Sequence, residues 1–147
     1  MALNRDYLGR TFEAPQPYEV TRVKVAEFAT AIGEQSPYCF DPDAARKAGY
    51  PDVIAPPTFA IVIAATSNAR LTHDSGLGLN YAMVVHGEQS FEYTRPLHAG
   101  DWVVARSTIE EIRPLGKHTS LTTRTDIETT DGEHVCTSRN TLIERGE

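Results

Sequence analysis

The stretch GEQSPYCFD, residues 33–41, is laid out like a catalytic loop. It holds a glycine, an acid at Glu34, a hydroxyl at Ser36, a proline turn, and a second acidic turn at Asp41 that leads into a short helix. Glu34 is the candidate general base, because abstracting a proton requires a positioned carboxylate or imidazole. Where such a loop would carry its imidazole, this chain has Cys39. A thiol does not copy an imidazole: its unperturbed pKa is near 8.5 and its geometry differs. On composition alone, Glu34 reads as a solvated residue in the last turn of a helix. Cys39 reads as a small buried filler, since a reactive cysteine needs a neighbouring base or a helix N-terminus.

The remaining polar candidates are weaker. His73, His86, His98, His118 and His134 show no metal-ligand spacing, so neither a metal nor another cofactor is expected. His86 lies on a strand pattern and is expected to be exposed or satisfied. Asp41 and Asp43 read as helix caps. Gly76 and Gly78 lack the following Lys-Ser/Thr of a phosphate loop; they could instead form a mobile lid. Arg70, Arg95 and Lys117 are basic residues that could meet an acidic partner or a phosphate.

The elements that must position these groups follow from periodicity and breakers. Residues 1–17 are expected to be irregular, with Pro15 and Pro17 as breakers. Thr21 is a plausible N-cap, Val25, Phe28, Ala29 and Ile32 recur at helical spacing, and Gly33 ends that helix. Asp41 caps a second, short helix with Pro42 at its first position; it runs through Lys47 and stops at Gly49. Pro56 and Pro57 mark a third start. Its residues Phe59, Val62, Ile63 and Thr66 share a face, yet Ile61 and Ala64 make it apolar nearly all round, as in a central buried helix. Beyond the glycine-rich DSGLGLN, four stretches rich in β-branched residues begin near positions 82, 101, 118 and 133. TDGE at 130–133 signals a hairpin, and Gly100 a turn into a strand. Helices first and strands after predict an α+β fold, an antiparallel sheet wrapped around one long helix. Such a sheet leaves outer strands unpaired, so dimerisation is expected.

Bulk properties narrow the function. A chain of 147 residues, 40% hydrophobic and 23% charged, suits a single domain over 1–147 with one core. A net charge of −6 without basic clusters argues against nucleic acid and against an anionic membrane surface. No stretch approaches the roughly 18 apolar residues of a membrane span, and the N-terminal stretch lacks the pattern of a secretory signal. Cys39 and Cys136 show no ligand spacing, which points to free thiols and a cytoplasmic setting.

Over nearly its whole length the chain resembles the MaoC-like hydratase/dehydratase family of hot-dog folds. The resemblance rests on FATAIGEQSPYCFDPDAARKAGYPDVIAPPTFA followed by FEYTRPLHAGD. It is nearest to actinobacterial (R)-3-hydroxyacyl-acyl-carrier-protein dehydratase subunits of the HadA type, where MAL, YEV, GY, AP-TF and GD recur in this order. No one motif is decisive; the ordered set is specific.

Catalytic members of that family carry a Gly-Asp-x-Asn-Pro-x-His loop. Gly33 and Pro37 keep the pattern, while Glu34 stands at the Asp, Ser36 at the Asn and Cys39 at the His. Catalytic members also have His-Gly at the central helix start, where a backbone N–H can hold the thioester oxygen. Here the pair is Pro56-Pro57, and proline has no N–H. The resemblance thus implies a catalytically degenerate subunit of a (R)-3-hydroxyacyl thioester dehydratase in fatty-acid biosynthesis. Pro56, Pro57, Thr58 and Phe59 are its expected substrate-binding residues at a tunnel mouth; a plain helix start with a core Phe59 is the equally weighted alternative. The implied substrate is an acyl-ACP or acyl-CoA. The implied partner is a HadB-like hot-dog subunit in a heterodimer, or a second copy in a homodimer. Two other functions stay open: a self-sufficient enoyl-CoA hydratase or thioesterase using Glu34, and a non-enzymatic acyl-thioester binder.

Overall fold

A computed structural model describes residues 2–146, so Met1 and Glu147, the two ends of the expected domain, lie outside it. The elements run β1 (Thr11–Glu13), β2 (Tyr18–Glu19), α1 (Arg22–Ala31), α2 (Pro42–Lys47), α3 (Ala60–Thr72), β3 (Val84–Tyr93), β4 (Trp102–Leu115), β5 (His118–Thr129) and β6 (His134–Glu144). The sheet is antiparallel in the order β1-β4-β5-β6-β3, with β2 also paired to β4. α3 lies against the inner face of this sheet, the hot-dog arrangement, and the class is α+β as expected. β3 ends the strand order and pairs only with β6, so its other edge is free among the described residues.

The helix signals are met. The Thr21 hydroxyl accepts from the Lys24 N–H at the start of α1, and Asp41 accepts from the Asp43 N–H at the start of α2. Gly33 leaves α1 at φ +75° and Gly100 turns into β4 at φ +95°, backbone angles that side-chain-bearing residues rarely adopt.

Three expectations need correction. Residues 1–17 are not irregular throughout. A 3-10 turn at Arg5–Tyr7 buries Tyr7, and β1 pairs with β4 through Phe12 opposite Ser107. Three residues between breakers are too few to show a period. Secondly, α3 is not buried all round. Ala60, Ile63, Ala64, Ser67 and Leu71 face the sheet, whereas Ile61, Ala65 and Ala69 line an open cleft. Thirdly, the segment around Gly76 and Gly78 is strapped down, not a free lid. Leu77 is fully buried and its carbonyl accepts from Asn4 N–H, while Asn4 Nδ2 donates to the Gly76 carbonyl. The Tyr7 hydroxyl donates to Asp74 at 2.9 Å and passes so close to Gly76 that a Cβ there would strike it.

The core is in two parts. The larger cluster gathers Val20, Val25, Phe59, Ile63, Val103, Ile127 and Cys136 with their neighbours. The smaller gathers Tyr7, Leu71, Leu77, Ile109, Ile112 and Leu121. Between them the sheet's inner face is polar. Ser107, Thr125 and Ser138 lie opposite one another on β4, β5 and β6, and Thr123 faces Asn140 in the adjoining row. No helix among the described residues is long and apolar enough to cross a membrane.

Candidate substrate site

The loop after α1 is held by its own backbone. Glu34 N–H closes onto Ala29 O, Cys39 N–H onto Ser36 O, and Asp41 N–H onto Pro37 O. The Glu34 carboxylate folds back on the turn: its Oε1 accepts from the N–H groups of Gln35 and Ser36, each at 2.9 Å. Ser36 Oγ in turn accepts from Tyr38 N–H, capping a 3-10 turn at Pro37–Cys39. Both polar side chains at the motif positions therefore serve the loop's own geometry. Cys39 is buried in the larger cluster. Burial, and then the negative charge of Glu34, pushes its thiol above the ordinary range, so it rests protonated.

The loop and the start of the central helix do come together. Tyr38 O accepts from Ile54 N–H, and Cys39 shares the larger cluster with Ala55, Phe59 and Ala60. A cleft of about 350 Å³ opens beside this junction, lined by Ile54, Ala55, Pro57, Tyr93, Thr94, Arg95 and Pro96. Of the four residues expected at a tunnel mouth, Pro57 lines this cleft and Thr58 is exposed, while Pro56 and Phe59 are buried. Phe59 packs edge-on against Phe28 at 5.3 Å and near Tyr18, the packing of a core residue. The Tyr93 hydroxyl donates to the Pro57 carbonyl and fixes the cleft floor. Burial, then the neighbouring Cys136 thiol, raises the Tyr93 pKa, so the phenol keeps its proton as that donor.

Arg95 is not free to meet a phosphate. Its guanidinium grips the buried Asp101 with two nitrogens, at 2.9 and 3.0 Å, and Glu133 at 2.7 Å. Asp101 also accepts from His98 N–H, which closes the turn through Gly100, and Arg95 ties that turn to Glu133 just before β6 and to the cleft it lines. Arg70 donates to the Glu13 carbonyl, and Lys117 lies in a separate depression with Asn80, Glu144 and Arg145. His86 is exposed on β3 and paired with Gln89 Oε1 at 3.1 Å, as a satisfied histidine.

A second cleft, of about 360 Å³, was not foreseen. It runs between the outer face of α3 and the β3–β6 edge. The apolar-all-round reading of α3 concealed it, although Ile61, Ala65 and Ala69 at a four-residue spacing were the signal.

A helix cradled by a six-stranded antiparallel sheet, with a loop packed at the helix start, defines a hot-dog hydratase-type domain. The chain matches the family model described as "FAS1-like, dehydratase domain region" over residues 6–138. It is 52% identical over 147 residues to a UPF0336 protein of Thermobifida fusca, covering 100% of this chain and 97% of that one. Identity to the UPF0336 protein SCO4636 of Streptomyces coelicolor is 43% over 145 residues, 99% and 97% of the two chains. Among solved structures, a chain of the C-terminally truncated HadBC (3R-hydroxyacyl-ACP dehydratase) complex of Mycobacterium tuberculosis superposes with a TM-score of 0.86 at 28% identity, covering 96% of this chain and 99% of that one. A chain of the ChsH1-ChsH2 complex of the same organism shares the fold at 21% identity, with a TM-score of 0.68 and coverage of 93% and 88%. The chain belongs to the MaoC-like hydratase/dehydratase family of hot-dog proteins.

Proposed function

We propose that this chain is the substrate-binding, catalytically degenerate subunit of a (R)-3-hydroxyacyl thioester dehydratase, working with a second hot-dog subunit that carries the Asp and His. The observation that carries this reading is the state of the loop at 33–41. The acid's Oε1 is spent on two backbone N–H groups, and the thiol at the histidine position is buried and protonated. The free edge of β3, ten residues long, offers the partner a strand to pair with. The setting is the cytoplasm, where Cys39 and Cys136 stay free.

In the reaction, a base on the partner takes the proton from C2 of the thioester. The C3 hydroxyl leaves with a proton from an acid as water, and the C2–C3 double bond forms. This chain's part is to seat the substrate. Ile54, Pro57 and the Tyr93-braced carbonyl of Pro57 shape the mouth. Delivery is by acyl carrier protein or coenzyme A.

The test is hydration of a trans-2-enoyl-CoA, followed at the enoyl absorbance, by the chain alone and after mixing with a hot-dog subunit that carries the intact Asp and His. Turnover only in the mixture is expected. Full turnover by the chain alone would sink the reading in favour of a self-sufficient hydratase using Glu34. Tight acyl-CoA binding without turnover in either case would favour a non-enzymatic binder.

A further inference from the structure

Three side chains that line the first cleft carry polar atoms, and each has its protons turned elsewhere. The Tyr93 hydroxyl donates to the Pro57 carbonyl. Arg95 is committed at all three guanidinium nitrogens, to Glu133, to Asp101 and to the Pro96 carbonyl. Thr94 is the third, and its hydroxyl is bonded to Nδ1 of His134 on β6. The direction of that bond follows from the partners behind it. Asp126 on β5 receives Arg124 Nε on one oxygen at 3.1 Å and the Thr137 hydroxyl on the other at 3.0 Å. A hydroxyl has a single proton, so Thr137 Oγ1 can only accept from His134 Nε2, which lies 2.7 Å away. In the neutral imidazole this puts the proton on Nε2 and leaves Nδ1 a bare acceptor. Thr94 therefore donates to Nδ1, and its own oxygen is left with lone pairs that no group among the described residues meets.

Thr94 is exposed, so that oxygen is open to a ligand. The cleft lies where residues 93–96 leave β3. Its other wall is this chain's own segment 54–57, tied alongside by the Ala55 N–H on the Leu97 carbonyl and by the bridge between Ile54 and His98. The remaining lining, Ile54, Ala55, Pro57 and Pro96, is apolar. A thioester carbonyl or an enolate oxygen needs donors, and here it would meet two hydroxyl groups facing away and a guanidinium already engaged. A ligand N–H, in contrast, meets a waiting acceptor. In an acyl thioester of the kind proposed, the N–H groups near the sulfur are the amides of the pantetheine arm, which coenzyme A and acyl carrier protein share.

We infer that the first cleft holds the pantetheine arm of the substrate, with an amide N–H of the arm donating to Thr94 Oγ1. His134, Thr137 and Asp126 are positioning residues that keep this oxygen an acceptor. The inference rests on the substrate-binding role proposed above and assigns the cleft to the arm instead of to the reacting carbonyl.

The test uses the full chain, alone and with the subunit that supports turnover. Binding is measured by calorimetry for an acyl thioester with the natural arm and for analogues in which an ester oxygen replaces one or the other amide N–H. Each is carried on coenzyme A and on an acyl carrier protein, and the carrier that shows a preference is the source of the arm. The natural arm is expected to bind about tenfold tighter than one of the two esters, the ratio that 1.4 kcal/mol produces. Thr94→Val, which keeps the shape and removes the acceptor, is expected to abolish that preference, and Thr94→Ser to retain it. His134→Leu, which frees the Thr94 proton, is expected to shrink the preference, an effect that a purely structural role would not produce. Equal binding of the natural arm and both esters by wild type would overturn the inference and leave the substrate-binding role standing. An undiminished preference in Thr94→Val would also overturn it, because the N–H would then be read elsewhere. No binding of any thioester, by the chain alone or by the pair, would overturn both.

Discussion

The hydroxyls of Ser67 and Ser107 meet at 2.6 Å in the middle of the core, each fully buried, joining the central helix to β4. Ser107 also bonds Thr125, so one side chain serves two partners. Ser107→Ala leaves both without their shared partner and should cost about 1–3 kcal/mol. The loss will read as a lower urea midpoint at unchanged slope. Adding Ser67→Ala should cost less than the two single losses summed, since the residues are in contact. Strict additivity would show that the pair is not coupled.

Asp101 is buried and holds the partly buried Arg95 and the N–H of His98. Its carboxylate, ahead of that of Glu133, drives the Arg95 pKa further up. Asp101→Asn leaves the guanidinium short of charge in a half-dry site. Breaking such a pair by removing one partner should cost about 2–3 kcal/mol, somewhat below the fully buried case because Arg95 keeps Glu133 and some solvent. A thermal melt unchanged from wild type would contradict this.

Asp52 ties α1 to α2 through Arg22 and Arg46. The Arg22 hydrogen bond, against an opposing burial effect and with help from the Val53 N–H, holds its pKa at about 2, below the ordinary 3.8. A depressed folded-state pKa means the stabilisation is fully present above the unfolded value and lost as pH falls through the folded one. Wild type should therefore lose stability between about pH 4 and pH 2. Asp52→Asn should be less stable at neutral pH and flatter across that window. Because both arginines are about half exposed, salt should shrink the difference.

Both thiols are buried and protonated. Burial, opposed by the Tyr93 hydrogen bond, pushes Cys136 up to about 11, and Cys39 is raised by burial and by Glu34. A thiolate-selective reagent at pH 8 should leave the folded chain unmodified and label two thiols once denaturant is added. Rapid labelling of Cys39 in the folded state would mean that the loop at 33–41 opens.

Glu34→Gln keeps an acceptor for the N–H groups of Gln35 and Ser36, so turnover of the paired enzyme should stay within about twofold. Glu34→Ala removes the acceptor and should cost about 1 kcal/mol of stability. Loss of turnover in Glu34→Gln, with stability intact, would place the base on this chain.

The motifs carried most of the architecture. Thr21 and Asp41 are caps that act over two or three residues, and Gly33 and Gly100 adopt positive φ, so each announces an element end locally. The four strands were legible because β-branched residues dominate them for ten or more residues. β1 was not, since three residues between breakers carry no period. Its place is set by β4 and by the burial of Phe12 against the smaller cluster. The openness of one face of α3 was also hidden, because Ile61 and Ala65 look like core residues until the sheet is seen to cover the other side.

By itself the sequence determined the α+β class, the helix ends, the family, and the presence of Glu34 and Cys39 in the loop at 33–41. Those depend on residue identity and short spacing, which a chain displays without folding. The tertiary structure alone decided that Glu34 turns onto its own backbone, that Phe59 is core and Pro57 lines a cleft, that Asp101 claims Arg95, and that Asn140 Oδ1 is buried without a partner among the described residues. Each of these is a contact, or the lack of one, in the packed fold. Most involve elements far apart in sequence, and all depend on the register of the strands and the direction of side chains, which no local pattern encodes.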